Sequence, residues 1–496
     1  MKLAPNKRPV LKLRRYRTLI YFDLEIIILG YVYYKYKYVI STGIANGSLT
    51  QDRLDDMAIR NVIGYYYVGL DNEKQPSAAG TTEYRNVRGD HSKLIRRSAG
   101  EPIVLLKNTN NTLPLNKPLT MSIYGAHAGP AIAGPNQAFS VQGTSSDTYQ
   151  SHLATSGGSG QASFPYLMTP HTALIMRAAE DGTMLWWVLN NTYTATSSSG
   201  GGMGGGQGGG NFTGGPGGHN STTGGDMGGA TANSTGGVAA GGMNLGNPGS
   251  GTSVSPSIEN YASDGSEVCI VFINANSGEG GDRSELANTE QDQLVNTVAD
   301  NCNNTVIVVN TVGPRILESW ISHTNVTAVL YAGMLGQESG NAIADVLYGD
   351  VNQSSKLSYT IAKSASDYLA TVCETAECDF TEGVYLDYRY FEKNNLTARF
   401  PFGHALSDST FEYSNITVHS QNTSSLSTNK YATGTLIPGG PADLFEEVLS
   451  ISIVVRNSGS VAGAEVAQLY ISSPEEAQQP VKVLRGFKKS KVLGAG

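Results

Sequence analysis

Cysteine, charge and clean apolar runs are all scarce in this chain. Four cysteines, Cys269, Cys302, Cys373 and Cys378, occur in 496 residues, and no two share a C-x-x-C spacing. That excludes a disulfide scaffold and a thiolate zinc site. Cys373 and Cys378 are close enough in sequence for a local loop bridge, whose closure depends on geometry. Charged residues make up 15% and the formal net charge is -8, with no basic face, so nucleic acid is a poor match as a partner. No GxxxxGK[ST] phosphate loop is present. The stretch from Thr18 to Tyr34 is apolar but carries Asp23 and Glu25, which are expensive in a bilayer, so a membrane partner is not expected. A basic run from Lys2 to Arg17 precedes it, the layout of a signal peptide or signal anchor, yet no small-residue cleavage site follows. Residues 1–43 are set apart as an amino terminus that fits nothing downstream.

Glycine, by contrast, is abundant. Many of the 59 glycines fall in residues 197–250, a low-complexity block with Ser, Thr, Asn and Met. Such a composition buries too little apolar area to offset chain entropy and predicts a flexible insertion. Asn-x-Ser/Thr triplets begin at Asn46, Asn110, Asn190, Asn211, Asn220, Asn233, Asn303, Asn325, Asn352, Asn395, Asn415 and Asn422. Their density across every region predicts a secreted, extracellular glycoprotein.

The remaining text alternates between two periods. Leu54, Met57, Ala58, Val62, Ile63 and Tyr66 recur at helical spacing, and further helices are predicted over Asp90–Ala99 and Pro170–Glu180. Ile103–Leu106 and Leu119–Tyr124 read as strands, with 107–114 between them as a polar turn. The continuous apolar run Val268–Ile273 reads as a strand buried on both faces. After it come a helix over Gln291–Asn301, a strand over Val306–Val309, a helix over Arg315–Ile321, a strand over Val326–Tyr331 and a helix over Ser339–Leu347. Strand and helix at this spacing predict a doubly wound α/β sandwich. Beyond Asp379 the runs are short and alternating, Leu449–Arg456 and Val466–Ile471, which predicts a β-sandwich with few strands.

In an open α/β sheet ligands bind beyond the carboxyl ends of the strands. Val268–Ile273 runs into Asn274-Ala275-Asn276-Ser277-Gly278-Glu279, which makes Glu279 the candidate carboxylate. Glu285, Glu318 and Glu338 are weaker candidates, and Glu382 and Asp387 suit ordinary turns. Spacing alone favours a solvated loop carboxylate at Glu279 and an ordinary glycine turn at Ser159 in Gly157-Gly158-Ser159-Gly160.

Several short texts then converge. Arg53-Leu54-Asp55-Asp56-Met57-Ala58, Ile103-Val104-Leu105-Leu106-Lys107-Asn108, Gly158-Ser159-Gly160 through Phe164-Pro165-Tyr166, Gly278-Glu279-Gly280 with Asp282-Arg283, Gly336-Gln337-Glu338-Ser339-Gly340, and Gly463-Ala464-Glu465-Val466-Ala467-Gln468-Leu469-Tyr470 follow one order. In that order, from about Ile44 onward, the chain resembles fungal β-glucosidases of glycoside hydrolase family 3. The resemblance implies a (β/α)8 barrel, an α/β sandwich and a fibronectin type III-like domain. Residues 44–85 resemble only the barrel's tail and linker, 86–380 the α/β sandwich, 381–410 a connecting segment, and 411–496 a partial fibronectin type III-like domain. The implied chemistry is retaining hydrolysis of terminal β-D-glucosyl residues, as in cellulose and β-glucan breakdown, by a carboxylate pair without cofactor or metal. The match maps the general acid/base onto Glu279 and substrate contacts onto Ser159, Asp282 and Arg283. The family nucleophile stands in a Ser-Asp-Trp context. None of Trp186, Trp187 and Trp320 follows Ser-Asp, so these residues alone are expected to be inactive. The alternative is a non-catalytic glycoprotein that binds carbohydrate or a partner.

Overall fold

The structure is a computed structural model that describes residues 39–72, 86–130, 151–155, 164–193, 254–279, 283, 286–369, 373, 375–420 and 432–496. The insertion over 197–250 lies outside the described residues. The chain divides into two compact units, Met1–Val87 and Arg88–Gly496.

In the first unit, helix α1 (Gln51–Tyr67) begins where Thr50 accepts a hydrogen bond from the Arg53 amide, an N-cap that satisfies one orphan donor. None of its residues is buried. No described helix is long and apolar enough to cross a membrane.

The second unit is built on a six-stranded sheet. Its strands are β1 (Val104–Asn108), β2 (Thr120–Tyr124), β3 (Met184–Val188), β4 (Val268–Ala275), β5 (Thr305–Thr311) and β6 (Val326–Ala332), in the order β1-β6-β5-β4-β2-β3. All neighbours run parallel except β1, which lies antiparallel against β6 at the edge. Helices α2 (His91–Gly100), α3 (Pro170–Asp181), α4 (Ile258–Ser263), α5 (Thr289–Asn301) and α6 (Ser339–Leu347) cover it. Alternation along β4 shows the layering. Cys269, Val271 and Ile273 pack with α4 and α5 residues such as Tyr261 and Val298. Val268, Ile270 and Phe272 pack with α2, α3 and α6 residues such as Ala99, Leu174 and Ile343. Both faces are apolar because both are covered, which is why the strands read as unbroken runs.

Three of the departures from the sequence expectation concern the sheet and the segments packed on it. The first strand extends through Lys107 and Asn108 instead of turning there. Lys107 tolerates this because its Nζ donates to the carbonyls of Ile321 and His323, at 3.0 and 3.3 Å. Residues 315–321 are turns, not a helix. Their first backbone donors have tertiary partners: the Arg315 amide donates to the Tyr331 hydroxyl at 3.0 Å and the Ile316 amide to the Leu286 carbonyl at 2.7 Å. Thirdly, Cys269 of β4 is bridged to Cys302, the C-cap of α5, in addition to the Cys373–Cys378 loop bridge.

Two glycines are fixed by close approach. Gly125 has φ +99°, and a Cβ there would lie 2.3 Å from the Phe272 carbonyl oxygen. At Gly340 a Cβ would meet the Thr169 carbonyl at 2.1 Å, where the first turn of α6 crosses the start of α3.

Past the sheet, α7 (Tyr388–Lys393) leads to β7 (Phe411–Ser420), β8 (Leu436–Ile437), β9 (Gly440–Pro441), β10 (Leu449–Asn457), β11 (Val466–Ile471) and β12 (Val483–Lys489). Strands β10 and β7 pair antiparallel, as do β11 and β12, giving separate two-stranded sheets. An apolar cavity of about 450 Å3 lies between them, lined by Ile416, Ile451, Leu469 and Phe487 among others. This is the β-sandwich read from the alternating runs.

Two histidines are sealed at the carboxyl edge of the sheet. His127 and His152 are fully buried, with ring centroids 4.6 Å apart. The Nδ1 of His127 accepts from the Leu153 amide at 3.1 Å and the Asn274 Nδ2 at 3.2 Å, so its Nε2 carries the proton toward Asn310 Oδ1 at 3.1 Å. Desolvation pushes His127 down to about 4 from 6.5, and His152 well below its ordinary value.

Replacing Gly340 by Ala is expected to lower stability by about 3 kcal/mol, since the new methyl meets backbone that cannot swing aside. Urea denaturation checks this, with Gly486→Ala as a control because a Cβ there has open space. The buried histidines make stability fall with acid. Between pH 6.5 and 4 the unfolded chain binds a proton at residue 127 that the native chain does not. Stability present above that window is therefore lost through it, on the order of 3 kcal/mol for this one group. Melting curves across the window should show a shallower decline for His127→Gln than for the parent chain.

Candidate active site

The carboxyl ends of β4, β5 and β6 converge on one set of loops, and the polar residues there form a connected foundation. Asn274 and Asn310 are register partners on β4 and β5. Asn274 exchanges two bonds with Gln291, its amide donating to Gln291 Oε1 at 2.8 Å and its Oδ1 accepting from Gln291 Nε2 at 2.9 Å. Asn310 Nδ2 donates to the Gly333 carbonyl at 2.9 Å. His127 touches both asparagines, so β2, β4, β5 and the loop after β6 are tied by buried carboxamides.

A buried ion pair stands beside them. Arg315 is 1% exposed, and its Nη2 lies 2.9 Å from Asp292 Oδ1, which also accepts from Trp320 Nε1 at 2.9 Å. The other terminal nitrogen of Arg315 donates to the Asn274 carbonyl at 2.8 Å. A buried pair of this kind is tolerable only with such additional hydrogen bonds, and removal of either partner leaves an uncompensated charge. Arg315 thus fixes the turn after β5 against the end of β4 and the first turns of α5.

That turn holds the loop bearing Glu279 at three points. The Val312 amide donates to the Ala275 carbonyl at 2.9 Å, before the loop, and the Ile316 amide to the Leu286 carbonyl, after it. Between them Arg283 Nη2 donates to the Pro314 carbonyl at 2.9 Å. The turn is itself braced at the Gly313 carbonyl, which accepts from the hydroxyls of Thr311, Tyr359 and Tyr331 at 2.9, 3.1 and 3.3 Å. Burial raises the pKa of both tyrosines, so the phenols remain donors.

The residues expected from sequence are placed as follows. Glu279 is exposed in the turn after β4. Arg283 is half-buried, and desolvation lowers its pKa, with the like charge of Arg315 acting in the same direction. One guanidinium nitrogen serves the Pro314 tether, which makes Arg283 a brace of the Glu279 loop. Ser159, Asp282 and Glu285 lie outside the described residues. Glu318 accepts from Nε and Nη2 of Arg399, and Glu338 is buried, accepting from the Tyr166 hydroxyl and from Asn341 Nδ2 at 2.7 Å. Asp387 caps α7 and accepts from the Thr360 amide. These three carboxylates are engaged in structural contacts, whereas Glu279 is exposed among the described residues of this edge. The supporting residues Asn274, Asn310, Asp292, Arg315, Tyr331 and Tyr359 were not anticipated. Their signal was a polar residue at the carboxyl end of an apolar strand, as at Asn274 and Asn310.

The model of the glycosyl hydrolase family 3 C-terminal domain matches residues 103–407. The chain is 51% identical over 451 residues to a probable beta-glucosidase D of Aspergillus niger, covering 91% of this chain and 53% of that protein. It is 52% identical to the probable beta-glucosidase D of Emericella nidulans, covering 89% and 48%. The chain therefore spans about half the length of these curated relatives. Among solved structures, beta-glucosidase D2-BGL from Chaetomella raphigera superposes with a TM-score of 0.71 at 36% identity, covering 92% of this chain and 56% of that one. Beta-D-glucoside glucohydrolase from Trichoderma reesei gives 0.70 at 33% identity, covering 92% and 55%. With the matched domain occupying more than half of its residues and the Glu279 loop inside that span, the chain belongs to glycoside hydrolase family 3.

Proposed function

We propose that this chain supplies the acid/base half of a retaining β-glucosidase active site, with Glu279 as the proton donor to the leaving glycosidic oxygen. The observation that carries the reading is the triple tether of the Glu279 loop to the braced turn after β5. A general acid must be held within hydrogen-bond reach of the oxygen it protonates, and a loop fixed on both sides of the acid achieves that. The attacking carboxylate of such a pair stands roughly 5–5.5 Å from the acid. Its family context, Ser-Asp-Trp, does not occur in these 496 residues. Family membership supports a β-glucoside as substrate, taken as a terminal β-D-glucosyl unit. Ser159 and Asp282 are proposed as substrate contacts on the family match alone, and Arg283 as a residue that holds the loop.

Secretion is part of the same proposal. It is supported by the many Asn-x-Ser/Thr triplets and by two disulfides, which persist in oxidising compartments.

The 496-residue chain is expected to show no turnover of an aryl β-glucoside, because the second carboxylate of the mechanism is not among its residues. Hydrolysis that survives Glu279→Gln would overturn both that expectation and the role of Glu279. A fusion of residues 88–496 to the barrel of a β-glucosidase relative tests the acid directly. In it, Glu279→Gln should slow substrates with poor leaving groups by about 10²–10⁴-fold, and those with good leaving groups much less, since only the former need protonation. Equal losses for both classes would show that residue 279 has another task.

A further inference from the structure

Two segments are moored at the carboxyl edge of the sheet. One is the Glu279 loop, which leaves β4 after Asn274 and Ala275. The other is residues 151–154, all buried, which precede Ser159 in the sequence. The His152 amide donates to the Gly129 carbonyl at 2.9 Å, and the Ala154 carbonyl accepts from the Gly336 amide at 2.9 Å. Gly336 belongs to the turn after β6, where the Gln337 carbonyl also accepts from the Met168 amide at 2.9 Å. The turn after β6 thus does for residues 151–154 what the turn after β5 does for the Glu279 loop.

One side chain joins the two moorings. His127, in the short turn after β2, accepts at Nδ1 from the Leu153 amide of the second segment at 3.1 Å. The same nitrogen accepts at 3.2 Å from Nδ2 of Asn274, the residue that leads β4 into the Glu279 loop. On the far side of the ring, Nε2 donates to Oδ1 of Asn310 on β5, whose Nδ2 continues to the Gly333 carbonyl after β6. The ring faces His152, the titratable group in contact with it, and the Ser151 carbonyl lies 3.4 Å from Nδ1. His152 Nδ1 donates to the His127 carbonyl at 3.0 Å, and its Nε2 is buried without a partner among the described residues. The charged groups on the adjoining elements are Arg315, which reaches the Asn274 carbonyl, and Asp292, which is paired with it.

We propose that His127 is a positioning residue for the site: its ring fastens residues 151–154 to the end of β4, so that the segment leading to Ser159 and the loop bearing Glu279 start from one fixed base. This rests on the reading of Glu279 as the proton donor, which gives the shared base its purpose. Imidazole suits the task because a neutral ring carries one acceptor and one donor, and the Leu153 amide, which can only donate, fixes which nitrogen is which. Burial keeps the ring neutral, with its pKa pushed down to about 4. A second proton removes the acceptor at Nδ1, and the bonds to Leu153 and Asn274 are lost together. The two moorings therefore uncouple in acid as a single event.

Hydrogen exchange on the full 496-residue chain, resolved to single amides by fragmentation in the mass spectrometer, tests this. The Val312 and Ile316 amides report the tethers of the Glu279 loop, and those of Leu153 and Gly336 report the hold on residues 151–154. The Val308 amide, buried within β5, reports global opening. His127→Gln keeps a donor toward Asn310 and loses the acceptor at Nδ1. Protection at the four tether amides should then fall about tenfold or more beyond any change at Val308, the effect of one unsatisfied buried donor. His127→Asn keeps an acceptor near Nδ1 that does not titrate. It should retain protection at neutral pH and abolish the extra loss that the parent chain shows between pH 6.5 and 4. A loss confined to Leu153, or one equal at Val308 and the tethers, overturns the proposal, since the first is a local bond and the second a general destabilisation. Acid loosening that persists in His127→Asn belongs to His152 and overturns it as well. None of these readouts involves turnover, so a failure of Glu279 as the acid shows separately, in the Glu279→Gln kinetics, and leaves the exchange results unchanged.

Discussion

The buried pair between Arg315 and Asp292 is the constraint on which the carboxyl edge of the sheet depends. A guanidinium 1% exposed costs several kcal/mol in lost hydration, and only the carboxylate, the Asn274 carbonyl and good geometry offset it. Those partners come from three elements: the first turns of α5, the end of β4 and the turn after β5. Asp292 also lies near the amino terminus of α5, where the helix dipole favours a negative charge. Once the pair is formed, the turn after β5 has one place to lie. The Glu279 loop inherits that position through its three tethers.

The same edge explains why the hydrogen-bonded asparagines are buried. An unpaired carboxamide in a core costs as much as a lost hydrogen bond, so Asn274 and Asn310 persist because each has a partner of fixed geometry. His127 completes the arrangement only as a neutral ring in one tautomer, with Nδ1 accepting and Nε2 donating. A proton on Nδ1 would set a donor against the Leu153 amide and Asn274 Nδ2, at 3.1 and 3.2 Å, with the Ser151 carbonyl at 3.4 Å as the acceptor facing it. The acid sensitivity of this edge and its rigidity therefore have one origin.

Much of the fold was legible in the sequence, and the exceptions have physical reasons. The central strands β4, β5 and β6 read as apolar runs because helices cover both faces. Strand β3, Met184–Val188, was missed because it is an edge strand of five residues with Met184 and Trp187 exposed. Lys107 hid the extent of β1, since a charge normally ends an apolar run and here its amine finds two carbonyls. The helical spacing at 315–321 failed because side-chain burial at Arg315, Leu317 and Trp320 follows tertiary bonds and not a helix face. The Cys269–Cys302 bridge joins residues 33 apart, beyond the reach of local spacing. The place of Glu279 in the turn after β4 was legible from its strand and its loop text. Its supports were not, because Arg315 meets Asn274 across 41 residues and Tyr359 meets Gly313 across 46.

Position and protonation are separate requirements for a general acid. The tethers to Val312, Pro314 and Ile316 place the Glu279 loop. A proton donor working near neutral pH also needs a raised pKa, which comes from burial in an apolar site or from a second negative charge nearby. Glu279 is exposed, and Asp292 and Glu338 are engaged with Arg315 and with Tyr166 and Asn341. In the proposed reading, a surface that closes over the loop adds to that charge. In a retaining pair that surface carries the nucleophile, whose charge both raises the acid's pKa and attacks the sugar. In such a pair one surface supplies both the second carboxylate and the reason the first holds its proton.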